Sequence, residues 1–178
     1  ETFRRVNEDL RLRNEITIRE SLAASHQEKP LWEGAFKQLA GSKVTSRFAE
    51  DRSYVLNGST VSRARHYGFD LASVARAPIT ATARGVVAFA GNLGIYGQCV
   101  IVDHGLGVAS LYGHLSEIQV EQGEWVKAGQ TLGRSGSTGL AGGDHLHFAI
   151  LVGEDYVDPL EWWDPKWLRS HIDVRLEN

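Results

Sequence analysis

The chain has 178 residues, 42% of them hydrophobic and 23% charged, which is enough for a globular domain with a core of its own. Its net charge of −3 argues against a nucleic-acid partner, because proteins that bind phosphate backbones carry an excess of cations. No apolar run approaches the length of a membrane span. The single cysteine, Cys99, cannot form an internal disulfide, and its apolar neighbours predict a buried thiol.

Residues 1–45 differ from the rest, since they are highly charged and hold only two of the 19 glycines. Apolar spacing predicts a helix over residues 3–13 and leaves residues 14–22 undecided. The polar run over residues 21–29 predicts a connection. Aromatic and aliphatic side chains at helical spacing predict a short helix over residues 30–39, docked on the main domain. We therefore expect residues 1–45 to be an N-terminal arm or linker segment, partly helical.

Residues 46–178 hold the other 17 glycines and have the pattern of an all-β domain with a C-terminal tail. Short apolar runs alternate with glycine turns, and such close spacing favours antiparallel strands over βαβ units. The predicted strands and short β segments are 86–90, 97–102, 108–114, 118–120, 124–126, 130–133 and 145–152. The tail carries Trp162, Trp163 and Trp167. Their large rings could stack on a carbohydrate or anchor the tail to the domain, and we favour anchoring.

The triplet His145-Leu146-His147 is the most informative feature of the chain. Residues two apart in a strand share a face, so the two imidazoles project together while Leu146 faces the core. Such a pair is able to bind a metal, or to divide metal binding and proton transfer between its members. Alone it is a weak signal, because any single histidine is more often structural than a ligand.

A second cluster strengthens the case. A fully extended chain would separate the Cα atoms of His66 and Asp70 by about 13 Å, too far for two side chains to reach one ion at about 2 Å. Gly68 lies midway and permits a bend, so we expect a turn leading into a strand. Zinc hydrolases use three protein ligands and leave one position open for water. The candidate residues for such a site are His66, Asp70, His114, His145 and His147.

Motifs from about Ser46 to Trp163 resemble the LytM-type zinc peptidases, also called the lysostaphin-like or M23 family. The run from His66 to Ala72 resembles the family's His-x-Gly-x-Asp-x-Ala segment. Residues 111–115 resemble its central hairpin, and residues 145–148 its closing signature. The resemblance implies a mainly β fold of the LytM type. That fold is an antiparallel β-sheet or sandwich similar to the duplicated hybrid motif, here with a short helical N-terminal arm.

The resemblance also implies roles for individual residues. It makes His66, Asp70 and His147 the Zn²⁺ ligands, and it places His114 and His145 beside the catalytic water and the scissile carbonyl. One of these two histidines takes a proton from the water, and the other stabilises the oxyanion or protonates the leaving amine. The sequence does not decide between them. The implied activity is hydrolysis of peptide bonds in peptidoglycan stems or crosslinks, outside the cytoplasm, in the periplasm or cell envelope.

Three alternatives stay open at this point. A non-hydrolytic or autoinhibited LytM-type module could regulate other wall hydrolases, although such modules lose ligands and all five polar positions are present here. A metallohydrolase with a protein substrate is the second. In the third, the N-terminal arm covers the groove or adds a zinc contact from His26 or Glu28. Because the chain starts with Glu1, we expect a fragment of a longer protein, with a membrane anchor or further domains upstream.

Other positions carry simpler expectations. We predict that His104 is structural and that His26 and His171 are solvated. Asp144 stands where the family often has proline. Its carboxylate could tune the pKa of His145 or only face solvent, and we favour the second. No tyrosine closely precedes His66 to serve as an oxyanion donor, since the nearest one upstream is Tyr54. This argues against an assignment to the lysostaphin-like glycyl-glycine endopeptidases.

Overall fold

The computed structural model describes residues 9–176, which form thirteen β-strands and several helices. The strands are short, as the closely spaced glycine turns predicted. Their bounds are β1 Lys43–Ser46, β2 Asp51–Leu56, β3 Ser59–Arg65, β4 Phe69–Ala72, β5 Pro78–Thr80, β6 Gly85–Asn92, β7 Gln98–Asp103, β8 Val108–Leu115, β9 Glu117–Ile118, β10 Trp125–Val126, β11 Thr131–Arg134, β12 Leu146–Val152 and β13 Asp155–Val157.

The main sheet is antiparallel and has the strand order β1-β4-β12-β8-β7-β6-β10, with β13 paired to β12. A smaller sheet has the order β5-β11-β9, and β2 and β3 form a separate hairpin. The predicted mainly β, antiparallel fold is therefore confirmed. The central strands β4, β12 and β8 lie side by side, and they are the strands that carry most of the predicted site residues.

The central strands of the main sheet, β7, β8 and β12, are buried on both faces, which explains why they are mostly apolar. In β7, Val100 and Val102 face one hydrophobic cluster, whereas Cys99 and Ile101 face the other. This alternation follows from the two-residue period of a strand. The smaller sheet and the C-terminal helices border the first cluster, and the N-terminal helix covers the second. Cys99 is fully buried, as predicted.

Helix α1 spans Arg11–Ser25. The prediction of a helix over residues 3–13 is confirmed for residues 11–13, and residues 3–8 lie outside the described residues. The undecided residues 14–22 are helical. The prediction of a connection over residues 21–29 is wrong as far as Ser25, because the helix continues to that residue.

The predicted helix over residues 30–39 is wrong, because this segment has no regular secondary structure and bends at residues 34–35. Its docking on the domain is confirmed, since Trp32 and Phe36 are buried in the first cluster. Backbone hydrogen bonds run from the Leu31 amide to the His104 carbonyl at 2.7 Å and from the Lys37 amide to the Thr82 carbonyl at 3.0 Å. The division of the chain between residues 45 and 46 stays a prediction.

The chain ends in short helices, α2 Pro159–Trp163, α3 Pro165–Leu168 and α4 Val174–Leu176, with a π-helical turn before the last. Trp162 is buried, and its ring lies 5.9 Å from that of Trp32. Trp163 and Trp167 pack on the same cluster. The predicted anchoring role of the three tryptophans is therefore confirmed. Among the described residues, no helix is long and apolar enough to cross a membrane.

Candidate metal centre

Strand register brings the predicted site residues together. His147 on β12 is paired with Asp70 on β4 and with Gly113 on β8, next to His114. The chain bends between His66 and Asp70 and enters β4 at Phe69, as predicted. Gly68 is required at this bend, because a Cβ there would lie 2.4 Å from the Phe148 carbonyl oxygen and 2.9 Å from the His147 ring.

Three ligand atoms converge at one point. His66 Nε2 lies 3.0 Å from Asp70 Oδ1 and 3.1 Å from His147 Nδ1, and His147 Nδ1 lies 3.1 Å from Asp70 Oδ1. All three side chains are buried. Tetrahedral zinc with bonds near 2.0–2.1 Å separates its ligand atoms by about 3.3 Å. The triangle therefore has the size that one small cation requires, and no other three His, Cys, Asp or Glu side chains within residues 9–176 form such a group.

The protonation of the three side chains also suits a cation. His66 Nδ1 lies 2.8 Å from the Arg47 carbonyl oxygen and donates to it, which leaves a lone pair on Nε2. His147 presents Nδ1 to His66 and Asp70, whereas its buried Nε2 has no hydrogen-bond partner among the described residues. Burial opposes ionisation of Asp70, but the surrounding imidazoles of His145, His147 and His66 outweigh it and hold its pKa well below the usual range.

Arg52 is a site residue that the sequence analysis missed. Its Nη2 donates to Asp70 Oδ2 at 2.6 Å and to Ser46 Oγ at 2.8 Å. Asp70 therefore presents Oδ1 to the histidines while Oδ2 is held by the guanidinium. Arg52 lies on β2, 18 residues before Asp70. Pairing of Asp51 with Arg65 brings this end of β2 next to His66, from which Arg52 reaches Asp70. No spacing rule links the two residues, so the sequence carried no signal for this contact.

His114 and His145 lie beside this triangle, with ring centroids 4.8 Å apart. His114 Nδ1 donates to the Thr138 carbonyl oxygen at 2.8 Å, and His145 Nδ1 donates to the Gly143 carbonyl oxygen at 2.8 Å. In both rings this leaves Nε2 as the atom available to the site. His145 Nε2 is 3.6 Å from Asp70 Oδ1. Sequence predicted the shared face of His145 and His147, and the buried Leu146 between them agrees with it.

The two histidines differ in electrostatic environment. Burial lowers the pKa of His114 to about 4. The carboxylate of Asp70 raises the pKa of His145. His114 also has a left-handed backbone, with φ at 63°. Side chains other than glycine adopt that conformation at a cost of about 1 kcal/mol or more, a strain that is found mostly at functional sites.

A narrow cleft opens at the triangle. Tyr54 of β2 and Tyr96 of the turn Gly94–Tyr96 both line it, so the tyrosine nearest upstream of His66 does reach the site. The Tyr96 ring packs 5.2 Å from that of His147. Tyr96 is a further residue that sequence reasoning missed, since it lies 51 positions before its partner in an unremarkable turn.

The histidines expected to lie outside the site do so. His104 is fully buried and bonded to the Arg84 carbonyl oxygen and to Ser110 Oγ, which confirms a structural role. His26 and His171 are exposed, as predicted. His26 lines a separate cavity of about 550 Å³ between α1 and the β12–β13 hairpin. The exposed Glu28 is not part of the ligand group either, so the structure gives no support to a zinc contact from these two residues.

Asp144 does not simply face solvent, so that prediction is wrong. Its Oδ1 accepts from Ser135 Oγ at 2.6 Å, and its Oδ2 accepts from the Arg76 amide at 3.0 Å. The carboxylate is half-buried and ties together the two ends of the loop that precedes His145. It therefore helps to position His145 without entering the ligand triangle.

Comparison with known proteins places the fold and the motifs in one family. The model for peptidase family M23 matches residues 64–159. The DD-carboxypeptidase/endopeptidase Mpg of Neisseria meningitidis is 40% identical over 95 residues, which are 53% of this chain and 22% of the relative. The peptidoglycan DD-endopeptidase ShyA of Vibrio cholerae is 36% identical over 110 residues, 62% of this chain and 25% of the relative.

A solved structure of a zinc-containing peptidase from Vibrio cholerae matches with a TM-score of 0.61 at 30% identity. The match covers 75% of this chain and 40% of that one. The chain thus spans about a quarter of the length of the two curated relatives. Because the family model matches more than half of the chain, this protein belongs to peptidase family M23.

Proposed function

We propose that this chain is a zinc-dependent endopeptidase that hydrolyses peptide bonds in peptidoglycan stems or crosslinks. The observation that carries the proposal is the convergence of His66 Nε2, Asp70 Oδ1 and His147 Nδ1 within 3.1 Å of one another. These three residues would hold the metal. Zinc, when bound there, polarises a carbonyl group and lowers the pKa of a water molecule.

His114 and His145 are proposed to handle the protons. Their Nδ1–H groups are held by backbone carbonyls, so each ring keeps a fixed tautomer with Nε2 available. One ring, in its neutral form, would accept a proton on Nε2 from the attacking water. The other, protonated on both nitrogens, would donate from Nε2 to the developing oxyanion or to the leaving amine. The 4.8 Å between ring centroids lets both rings reach one peptide bond.

The substrate assignment draws on the relatives. Mpg is named as a DD-carboxypeptidase/endopeptidase and ShyA as a peptidoglycan DD-endopeptidase. Their names favour a bond between D-amino acids in the peptide part of peptidoglycan. This polymer lies outside the cytoplasm, so we also propose an extracytoplasmic location, in the periplasm or cell envelope.

The test is digestion of purified peptidoglycan by the full chain, with added zinc and with a chelator, and identification of the released muropeptides by mass. We expect crosslink- or stem-cleaved products from the wild type with zinc, and none with chelator or in His114→Ala. The matched control is His171→Ala, an exposed histidine that should leave activity unchanged. Product release that persists with chelator, or in a folded His114→Ala variant, would overturn the proposal.

An autoinhibited module is the second candidate. It is favoured by one observation, that the cleft at the triangle has an interior of about 50 Å³ and is lined in part by Arg11 of α1. The complete set of five polar residues favours hydrolysis instead. Deleting residues 1–40 is not a clean test, because it removes the buried Trp32 and Phe36. Arg11→Ala leaves the buried residues of the arm in place. Faster digestion of peptidoglycan by this variant than by wild type would favour the autoinhibited module.

A further inference from the structure

His114 lies at a β-bulge of the main sheet. Gln98 of β7 pairs with Leu115 of β8, but two residues further along β7 the partner is Tyr112, three residues back along β8. One residue of β7 therefore stands opposite two of β8, and His114 is one of those two. A bulge of this kind turns a side chain in a new direction. The left-handed backbone of His114 belongs to this irregularity.

The hydroxyl of Thr138 bridges the two strands next to the bulge. Its Oγ1 accepts from the Gln98 amide at 2.9 Å and donates to the Leu115 carbonyl oxygen at 2.7 Å. The backbone carbonyl oxygen of the same residue accepts from His114 Nδ1 at 2.8 Å. Thr138 thus contacts the bulged strands with its side chain and the imidazole with its backbone.

Two glycines let the loop that carries Thr138 approach the turn that leads into β7. A Cβ at Gly97 would lie 2.4 Å from the Thr138 carbonyl carbon, and a Cβ at Gly139 would lie 2.3 Å from the Gly97 amide nitrogen. The Leu140 amide also donates to the Ile95 carbonyl oxygen at 2.8 Å. This close approach brings the Thr138 hydroxyl between the strands. A side chain without a hydroxyl would leave the amide and the carbonyl oxygen there unpaired, which is costly for half-buried groups.

We propose that Thr138 is a positioning residue, which holds His114 in the tautomer with the proton on Nδ1 and keeps Nε2 available to the site. The inference rests on the proposed function, because it is hydrolysis that needs an available Nε2. The acceptor of one ring nitrogen decides which form the other nitrogen takes. Without the hydroxyl, the Gln98 amide and the Leu115 carbonyl must bond to water, which moves the loop away from the strands and withdraws the acceptor from His114.

The kinetic test uses Thr138→Val, which keeps the shape of the side chain and removes the hydroxyl. The substrate is a crosslinked dimer of stem peptides, with zinc added. We expect kcat to fall about 10–100-fold, the scale of a misplaced catalytic group, while KM and zinc affinity stay as in wild type. Thr138→Ser keeps the hydroxyl and should keep most of the wild-type kcat. The matched control is Thr131→Val, the same change at an exposed threonine of β11, which should leave kcat unchanged.

Two kinetic results overturn the proposal. An unchanged kcat in Thr138→Val would show that the hydroxyl does not act on His114, and a zinc affinity that falls together with kcat would show a general disturbance of the metal centre. Thr138→Ala is the second variant, because it leaves room for water at this half-buried position and folds even where the valine side chain prevents folding. The same expectations apply to it.

Nitrogen NMR of the His114 ring, with zinc added, needs no turnover and so separates this inference from the proposed function. At pH 7.5 we expect a protonated Nδ1 and an unprotonated Nε2 in wild type and in Thr138→Ser, and a mixture of the two tautomers in Thr138→Val. If wild type cleaves nothing, this change still supports the role of Thr138. Identical His114 spectra in wild type and Thr138→Val overturn it.

Discussion

At the scale of single residues, the site depends on which oxygen of Asp70 faces which partner. Oδ1 belongs to the ligand triangle, and Oδ2 is held by Arg52 at 2.6 Å. A carboxylate that is fixed through its second oxygen loses less freedom when it binds a metal. Partners of this kind typically account for 10–100-fold in metal affinity. Arg52 is thus a positioning residue that acts through Asp70.

We predict that Arg52→Gln lowers zinc affinity about 10-fold or more. Arg52→Lys keeps the charge but loses the planar guanidinium donors, so its zinc affinity should lie between those of wild type and Arg52→Gln. Competition against a chelating dye measures this directly, without any need for turnover. Arg63→Gln is the matched control, because Arg63 is exposed on the same hairpin. Unchanged zinc affinity in a folded Arg52→Gln protein would contradict the assigned role.

Gly68 offers a second test at this scale. A methyl group at this position would meet the Phe148 carbonyl oxygen and the His147 ring at contact distances that side chains do not tolerate. Gly68→Ala should therefore lower the free energy of unfolding by about 1–3 kcal/mol, the usual cost of overpacking, and weaken zinc binding as well. Gly142→Ala is the control, since nothing lies within 4 Å of a Cβ there. Equal stability of the two variants in urea unfolding would be inconsistent with the close approach.

At the scale of elements, the N-terminal arm contributes side chains to the hydrophobic core. Phe36 lies in the main hydrophobic cluster, and its ring contacts those of Trp32, Trp162 and His104. Residues 30–39 thus pack on the same side of the core as the C-terminal tryptophans. An element of this kind contributes to the stability of the whole domain even though it forms neither helix nor strand.

Phe36→Ala should lower the free energy of unfolding by about 3–5 kcal/mol, as for other buried phenylalanines. Leu12→Ala, on the exposed side of α1, should change it by less than about 0.5 kcal/mol. Chemical denaturation of both variants measures the difference. A loss below about 1 kcal/mol for Phe36→Ala would mean that the segment does not belong to the folded domain.

Elements also show where sequence reasoning stopped. The pairs His66/Asp70 and His145/His147 could be singled out because each pair is local, four residues apart around a glycine or two apart in a strand. The choice of ligands among them came from the family resemblance. Helix α1 could not be bounded, because it buries Asn14 and Ser21 while leaving Leu12 and Ile16 exposed, so its apolar pattern is misleading. Trp32, Phe36 and Leu39 have helical spacing, but all three pack on the same hydrophobic cluster from a backbone that is neither helix nor strand. Their spacing reflects docking on the core, and this produced the wrong helix.

At the scale of the whole molecule, stability should depend on pH through His104. Burial lowers its pKa to about 4, from 6.5 for an exposed histidine. Between these values the unfolded chain binds a proton that the folded chain excludes. The stabilisation of the folded state that comes from His104 is therefore complete above pH 6.5 and is lost as the pH falls towards 4.

Between pH 7.5 and pH 5 this loss should be about 2 kcal/mol in the free energy of unfolding. His104→Gln keeps a donor and an acceptor but does not titrate, so its stability should fall less over the same range. Urea unfolding at both pH values gives the difference, in which the titration of all other groups cancels. Parallel losses in the two proteins would rule out His104 as the origin.

The most direct test of the central claim is anomalous scattering at the zinc edge from crystals of the zinc-loaded chain. We predict one strong peak per chain, in contact with His66 Nε2, Asp70 Oδ1 and His147 Nδ1, and no such peak for His147→Ala under the same conditions. Zinc bound elsewhere, or the same peak persisting without His147, would contradict the assignment of this triangle as the metal centre.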